Sequence, residues 1–178
     1  MTEISPETTR ETASPGDLFD RLDGLGISYV THTHPPLFTV EDSKAHRGEM
    51  PGGHCKNLFL RDKKGVMWLV VVQEDRRIDL KALGRHLGAN RISFASADRL
   101  LSVLGLTPGA VSPLALINDT ECVVRPVLDA SLLKYDPLNY HPLVNDQTIA
   151  LAPADLIRFI EACGHSPEIL DFDALNAD

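Results

Sequence analysis

The sequence has few of the residues that define several large classes of protein. Cysteine occurs three times, at Cys55, Cys122 and Cys163, without CxxC spacing. A disulfide framework is therefore disfavoured, and we expect a reducing compartment, the cytoplasm. The longest purely apolar run, Val66 to Val72, spans seven residues, whereas a membrane-spanning helix needs about 20. The acidic N-terminal stretch has no apolar centre of the kind found in secretory signals. We expect no membrane partner.

Positive charge is also scarce. The chain has 17 Lys and Arg against 25 Asp and Glu, a net charge of −8, which disfavours DNA and broad contact with any duplex. One stretch, residues 44–64, nevertheless carries a local excess of four positive charges. A small basic area on an acidic protein suits a short phosphate-bearing ligand. The alternative is a solvated cationic face with no ligand.

Several catalytic signatures are missing. The sequence contains no G-x-G-x-x-G, Walker A, G-x-S-x-G or H-E-x-x-H pattern. Their absence argues against dinucleotide oxidoreductases, P-loop NTPases, α/β-hydrolases and zincins.

What is present predicts one domain of mixed secondary structure. We expect residues 1–16 to form a flexible tail and residues 17–178 a single domain, because only the first stretch is polar and without periodicity. Apolar periodicity and capping residues predict helices at 17–25, 39–47, 79–87, 96–104 and 153–163. Strands are predicted at 27–34, 56–62, 66–73, 91–95, 114–117, 122–128, 145–151 and 168–172. The predicted fold class is α+β, a mixed and largely antiparallel central sheet of six or seven strands with helices packed around it.

Lys56 is the first candidate site residue. Strand alternation puts Lys56 on one face with Leu58 and Leu60, and Asn57 on the other face with Phe59. An ammonium group at the end of an apolar stripe can meet a phosphate or a developing oxyanion. The alternative is a strand-end lysine whose stem covers apolar surface.

The segment from Gly109 to Pro113 is the second candidate. Pro108 and Pro113 stiffen it, and Gly109 allows a close approach of ligand. Such a loop can present backbone N–H groups to an oxyanion, or it can be a plain connector. His141, in a polar loop, can orient a substrate or water, or be a surface or capping histidine.

Two further chemistries rank lower. His32 and His34 would share a strand face, but a metal site needs a third ligand from His54 or Cys55, and nothing fixes its geometry. Cys55 could be a nucleophile beside His54, but neighbouring strand residues point apart and no orienting acid is evident. We therefore expect neither a metal nor another cofactor.

Four segments match a known family in collinear order. They are His34-Pro-Pro-Leu-Phe-Thr39, Pro51-Gly-Gly-His-Cys-Lys-Asn-Leu-Phe-Leu-Arg-Asp-Lys-Lys-Gly65, Pro108-Gly-Ala-Val-Ser-Pro-Leu-Ala-Leu-Ile-Asn-Asp119 and His141-Pro-Leu-Val-Asn145. Over about residues 17–172 the chain closely resembles the YbaK/prolyl-tRNA-synthetase-associated family. Within it, the chain looks like the freestanding prolyl-tRNA editing proteins of the alanyl-tRNA(Pro) deacylase type.

The resemblance implies a YbaK-like fold and a trans-editing hydrolase. Its expected substrate is mischarged tRNA(Pro), above all Ala-tRNA(Pro), with Cys-tRNA(Pro) as the alternative. A second site of this kind is needed because a proline pocket cannot exclude a smaller amino acid by sterics alone. The implied partners are the CCA acceptor end of aminoacyl-tRNA and prolyl-tRNA synthetase.

The resemblance also implies roles for individual residues. Lys56 would hold the terminal adenosine, and Lys56, Gly109 and His141 are the expected catalytic residues. The expected substrate-binding residues are Thr39, Asn57, Ala110, Val111, Ser112, Pro113 and Asn145.

An activated ester needs no strong nucleophile. Water can attack it while N–H groups near Gly109 stabilise the oxyanion and the vicinal ribose hydroxyl moves the proton. We expect Lys56 at the mouth of a cleft opposite the Gly109–Pro113 bend. A non-catalytic module that binds aminoacyl or nucleotide ends, and a hydrolase based on Cys55, stay open as alternatives.

Overall fold

The computed structural model describes residues 11–37, 39–46 and 50–176. In these residues it forms six α-helices, eight strands and two 3-10 helices. The α-helices are α1 (Pro15–Gly24), α2 (Val40–His46), α3 (Leu80–Leu87), α4 (Ala97–Leu104), α5 (Pro153–Ala162) and α6 (Phe172–Asn176). The strands are β1 (Tyr29–Thr33), β2 (Gly53–Arg61), β3 (Met67–Gln73), β4 (Ser93–Phe94), β5 (Val124–Asp129), β6 (Leu138–Tyr140), β7 (Gln147–Leu151) and β8 (Glu168–Leu170). The 3-10 helices are Pro113–Asn118 and Ala130–Lys134.

The capping residues set the ends of α3 and α4, as the sequence predicts. The Asp79 carboxylate accepts hydrogen bonds from two backbone N–H groups in the first turn of α3, and Gly88 ends that helix at φ 67°. Ser96 caps α4 in the same way, and Gly105 follows at φ 67°. Side-chain acceptors satisfy N–H groups that have no partner inside the helix, and glycine adopts a left-handed backbone without strain. Both predicted helices are confirmed.

The strands form one mixed sheet in the order β1-β7-β6-β2-β3-β5-β8, with β4 also on β2. The pairs β1/β7, β7/β6, β2/β3 and β2/β4 are antiparallel. The pairs β6/β2, β3/β5 and β5/β8 are parallel. The predicted mixed fold with helices around the sheet is confirmed, with eight strands rather than six or seven in the part of the chain described.

The core lies on both faces of the sheet. Strand β3 is buried along its length apart from Gln73, and its alternate side chains face different clusters. Leu69 and Val71 pack with α1, α4 and α5, whereas Val70 and Val72 pack with α3 and α6. The prediction that the second strand of the hairpin is central, because it is apolar on both faces, is confirmed.

The structure differs from the sequence prediction where an apolar run has no clear periodicity. Residues 114–117 were predicted as a strand, but they lie in the 3-10 helix Pro113–Asn118, so that prediction is wrong. Ser112 starts this helix by accepting a hydrogen bond from Leu114 N. A short buried run does not distinguish strand from helix by composition alone. Strand β6 was not predicted, and the last predicted strand ends at Leu170, before α6.

The N-terminal boundary also differs from the expected tail of 16 residues. Helix α1 begins at Pro15, Ser14 is its cap, and Asp17 completes a capping box. Ala13 N donates a hydrogen bond to Asn118 Oδ1 at 2.8 Å. The fold therefore includes residues before the predicted start at 17, while residues 1–10 lie outside the described residues. Arg47, where the second predicted helix was expected to end, also lies outside them.

None of the helices in the described residues combines the length and the apolar character needed to cross a membrane.

Candidate active site

A small cavity of about 70 Å³ lies where β2 meets β6 and β7. Its walls include side chains from all three strands and the turn after β6. The wall residues include His54, Cys55, Asn57, Asn139, His141 and Thr148. Two of them, Asn57 and His141, are among the site residues predicted from the sequence.

Two glycines allow β6 to approach the start of β2. Gly53 N donates a hydrogen bond to Pro137 O at 2.9 Å. A Cβ on Gly52 would overlap that same carbonyl oxygen, and Gly52 has φ 103°. A Cβ on Gly53 would come within 2.8 Å of the Leu138 side chain. The Pro-Gly-Gly motif before β2 thus lets this wall of the cavity form.

Two amide side chains of the cavity wall are held in fixed orientations. Asn57 Nδ2 donates to Val111 O at 2.9 Å, and Asn139 Nδ2 donates to Pro51 O and Gly53 O, each at 3.1 Å. These partners are carbonyls, so the NH2 group of each amide must face them. Both Oδ1 atoms are buried, and among the described residues neither has a hydrogen-bond partner. A buried acceptor without a partner costs about 1–3 kcal/mol, so two such acceptors on residues of one cavity wall make this wall the candidate site.

His141 presents an unprotonated nitrogen. Its Nδ1 lies 2.9 Å from Gln147 O, and a carbonyl can only accept, so Nδ1 carries the proton of the neutral ring. Burial lowers the pKa of His141; the Gln147 carbonyl opposes this effect, and nearby His34 adds to it. The two imidazole rings are 6.0 Å apart. At neutral pH the ring is therefore uncharged, and Nε2 can accept a proton or a hydrogen bond.

His34 is held by its neighbours rather than free to bind a metal. Nδ1 lies 2.8 Å from Pro35 O and Nε2 lies 2.7 Å from Thr148 Oγ1. Strand β1 ends at Thr33, so His34 follows the strand instead of sharing its face with His32. The described part of the chain brings together no group of three His, Cys, Asp or Glu side chains suited to a metal ion.

Cys55 lies in the cavity wall as a protonated thiol. Its Sγ donates to Tyr140 Oη at 3.4 Å. Burial raises the pKa of Cys55 to about 12, with the Tyr140 hydroxyl acting against the shift. Burial also raises the pKa of Tyr140 well above its ordinary value. Because the thiolate is the reactive form, the geometry disfavours the Cys55 hydrolase left open by the sequence.

Lys56 does not lie where the sequence predicts a cleft. The register of β2 with β3 is continuous from Cys55 to Arg61, so side chains alternate strictly. Cys55 packs with the first core cluster and Leu58 with the second, which places Lys56 on the face opposite Asn57. Lys56 is half-buried and is not part of the cavity wall. No hydrogen bond or ion pair of Lys56 occurs among the described residues.

The Gly109–Pro113 bend contacts a residue of the cavity wall through the backbone carbonyl of Val111. Gly109 has φ 95°, while Ala110, Ser112 and Pro113 are buried. Ala110 N already donates to Thr107 O, at 3.2 Å, so it is not available to an oxyanion in this conformation. Only Val111 contacts the cavity wall, because its carbonyl accepts from Asn57. Among the described residues, neither Lys56 nor this bend supplies a lining residue of the cavity, which lies on the Asn57 side of β2.

The other two predicted residues support the site from outside the cavity. Thr39 Oγ1 accepts a hydrogen bond from Asp42 N at 3.0 Å at the start of α2. Asn145 Nδ2 donates to Leu37 O at 3.2 Å, and Leu37 is part of the cavity wall. Both residues fix the backbone around the cavity.

Sequence reasoning missed several residues of the cavity wall, namely Leu37, Met50, Glu74, Asn139, Tyr140 and Thr148. Asn139 and Tyr140 lie on β6, which has three residues and no apolar periodicity of its own. The Thr148 position could have been found from β7, where a threonine stands in an otherwise apolar run.

Comparison with known proteins identifies the family. A family model described as an aminoacyl-tRNA editing domain matches residues 34–159. A zebrafish (Danio rerio) protein named prolyl-tRNA synthetase associated domain-containing protein 1 is 39% identical, with 97% of each chain covered. The prolyl-tRNA editing protein ProX of Acetoanaerobium sticklandii is 40% identical over 82% of this chain and 90% of its own.

A solved structure shows the same fold. It is described as that of a candidate trans-editing enzyme for prolyl-tRNA synthetase and superposes with a TM-score of 0.66 at 20% identity. The match covers 90% of this chain and 99% of the other. The chain therefore belongs to the aminoacyl-tRNA editing domain family, within its YbaK/prolyl-tRNA-synthetase-associated branch.

Proposed function

We propose that this protein is a trans-editing deacylase that hydrolyses the ester of mischarged tRNA(Pro), with Ala-tRNA(Pro) as its main substrate. The observation that carries the proposal is the small cavity beside Asn57, whose wall, as far as the described residues form it, includes uncharged acceptors and no Lys or Arg. Family membership and the ProX relative support the reaction class.

The size of the cavity favours a small aminoacyl group. The cavity volume is about 70 Å³. An alanyl group matches that room more closely than a prolyl group, which carries two further ring carbons. Cysteine is longer than alanine by one sulfur atom, so Cys-tRNA(Pro) is the second candidate substrate.

The acceptors of the cavity suit the ammonium group of an aminoacyl ester. Asn57 Oδ1 and Asn139 Oδ1 have no partner among the described residues, and both residues line the cavity. A primary ammonium group has three donors and no acceptor. These side chains would hold the amino end of the substrate, and Val111 keeps the Asn57 amide in the required orientation.

His141 is suited to proton transfer during hydrolysis. Its neutral ring offers Nε2 as an acceptor while Nδ1 is held by Gln147 O. In our proposal Nε2 accepts a hydrogen bond from the attacking water or from the vicinal ribose hydroxyl. The ester carbon gains the water oxygen, and the ribose oxygen leaves with a proton. A thiolate nucleophile is not needed, which agrees with the raised pKa of Cys55.

Lys56 would anchor the RNA end rather than the reacting atoms. It is a half-buried cation without a partner among the described residues, and its strand neighbours Cys55 and Asn57 line the cavity. Its long stem lets the ammonium group reach past the edge of the strand. A phosphate of the CCA end would supply the missing counter-charge.

The test is a deacylation panel with Ala-, Cys- and Pro-tRNA(Pro) as substrates, following loss of the ester against buffer alone. The proposal predicts fastest loss for Ala-tRNA(Pro), slower loss for Cys-tRNA(Pro) and no acceleration for Pro-tRNA(Pro). Survival of Ala-tRNA(Pro) at its buffer rate would refute the proposal, and protection of the ester would indicate a binding module instead.

A further inference from the structure

Five exposed cations gather at the end of β2 that is remote from the cavity. They come from three segments: the turn after β2, helix α3, and the residues between α3 and β4. The residues, which we call the basic surface, are Lys63, Lys64, Lys81, Arg85 and Arg91.

Backbone hydrogen bonds hold two of these segments together. Lys63 N donates to Asn90 O at 2.9 Å, and Asn90 N donates to Asp62 Oδ2 at 3.2 Å. The turn that carries Lys63 and Lys64 therefore lies against the segment that carries Arg91.

The third segment joins them through an open groove of about 610 Å³. Lys81 and Arg85 from α3 and Arg91 from the following segment all line this groove. Lys81 and Arg85 are one helical turn apart, a spacing at which like charges repel. The fold thus collects cations that are up to 28 positions apart in the sequence.

Two acids lie in the segments of the basic surface, Asp62 and the α3 cap Asp79. Asp62 is buried with its oxygens bonded to the N–H groups of Lys64, Val66 and Asn90, and Asp79 accepts from the N–H groups of Lys81 and Ala82. Among the described residues none of the five cations forms an ion pair. This concentration of unpaired charge occurs on a chain whose net charge is −8, so it is a local feature and not the average of the surface.

Arg91 has an unusual backbone. Its φ is 56°, a conformation that residues other than glycine, asparagine and aspartate rarely adopt. Such strain persists where the surrounding structure fixes it and concentrates at functional positions. Asn90 and Lys63 provide that fixation here.

We propose that the basic surface binds the phosphate backbone of the tRNA acceptor stem while the CCA end enters the cavity. This proposal rests on the deacylase function proposed above and adds a second contact to it. Asn57 and Lys63 are six residues apart on and just beyond β2, about 20 Å at about 3.3 Å per residue. The groove packs on the face of the sheet opposite the cavity, so a ligand that reaches both must pass around the sheet and extend well beyond its terminal nucleotides, as a helical stem does. Exposed Lys and Arg contact phosphates without reading sequence.

The experiment compares two RNA probes. One is a fluorescently labelled acceptor-stem microhelix that ends in CCA, and the other is a labelled CCA trinucleotide, both without an amino acid. Binding is measured with the full chain over a series of salt concentrations. The test variant is Lys63→Gln/Lys64→Gln/Arg91→Gln, and the matched control is Arg21→Gln/Arg125→Gln/Lys134→Gln, which removes the same charge from exposed positions elsewhere.

The proposal predicts at least a tenfold loss of microhelix affinity for the test variant and less than a twofold change for the control. The slope of log K against log salt should fall by about one for each phosphate contact removed. Affinity for the trinucleotide should stay within twofold in both variants. Unchanged microhelix affinity in the test variant, an equal loss in the control, or no microhelix binding by the wild type would each overturn the proposal. Unchanged affinity would leave an acidic protein as the better candidate for this surface.

Because the probes carry no ester, this readout does not depend on catalysis. Failure of the wild type to deacylate Ala-tRNA(Pro) refutes the proposed function, whatever the microhelix result. Normal deacylation with unchanged microhelix affinity refutes only the role of the basic surface.

Discussion

The two ends of strand β2 present opposite chemistry. At its start, His54, Cys55 and Asn57 line a small cavity, and none of the described residues in its wall is a Lys or Arg. At its far end, Lys63 and Lys64 belong to an exposed surface with five cations that form no ion pair among the described residues. The first end is suited to an ammonium group and an ester, and the second to phosphates.

In the function proposed here, the difference means that RNA recognition and ester chemistry would be separated along one strand. Contacts made by the cavity act on the reacting group and should change kcat. Contacts made by the basic surface are remote from it and should change KM and its salt dependence. Lys56 lies between the two, next to the cavity in sequence but on the opposite face of the strand.

The largest expected effect is that of Lys56→Ala. We predict that kcat/KM for Ala-tRNA(Pro) falls by about 10²- to 10³-fold, since truncating one partner of a close charge pair typically costs about 2–5 kcal/mol. The melting temperature should stay close to that of the wild type, because this side chain has no hydrogen bond or ion pair among the described residues.

Lys63→Ala is the matched control, as it removes a lysine from the turn that follows the same strand. It should lower kcat/KM by less than tenfold. Equal losses of kcat/KM in the Lys56 and Lys63 variants would contradict the proposal that the cavity end of β2 and the basic surface have different roles.

His141→Asn should have the next largest effect. An asparagine amide can still donate to Gln147 O, but it removes the Nε2 acceptor, so we expect kcat to fall by about 10²-fold with little change in KM. Single-turnover deacylation by the variant and the wild type measures this. A loss confined to KM would assign His141 to binding alone.

The pH dependence of the deacylation rate tests the same proposed role of His141. Burial lowers the pKa of His141 below its ordinary value of 6.5, so the neutral, active ring persists to mildly acidic pH. The rate should decrease only as pH falls through this lowered pKa. The unfolded chain binds the proton more readily, so the contribution of His141 to stability also decreases once pH falls below about 6.5. A wild-type rate that halves above pH 6.5 would contradict this prediction.

Cys55→Ala should have the smallest effect on turnover. With a pKa of about 12, the thiol is a wall residue and not a nucleophile, so we expect kcat within about threefold of the wild type. Treatment of the wild type with iodoacetamide at pH 7 should modify exposed Cys122 and leave most activity intact. Stoichiometric inactivation through Cys55 would restore the cysteine-hydrolase alternative.

The sequence predicted most of the fold because local signals agree with tertiary structure there. Asp79 and Gly88, or Ser96 and Gly105, bracket helices whose ends need only local hydrogen bonds. The hairpin of β2 and β3 follows from alternation and a polar turn. Strand β6 could not be predicted, since its three residues depend on pairing with β2 and β7.

The candidate site was predictable only in part for the same reason. Asn57 and His141 were singled out, but their neighbours in the cavity wall come from β6 and β7. Asn139 depends on carbonyls of Pro51 and Gly53, 86 or more positions away. The sequence shows Lys63 and Lys64 as a basic pair, yet only the fold adds Lys81, Arg85 and Arg91 to them.

The measurement that tests the central claim most directly is an NMR titration of the full chain with a stable amide analogue of 3′-alanyl adenosine. The account predicts that the largest shifts in backbone and side-chain amide resonances occur at Asn57, Asn139 and His141, with Arg91 unaffected. Shifts concentrated elsewhere, for example at Cys122 and His165, which line a separate groove, would contradict the assignment of the cavity as the aminoacyl site.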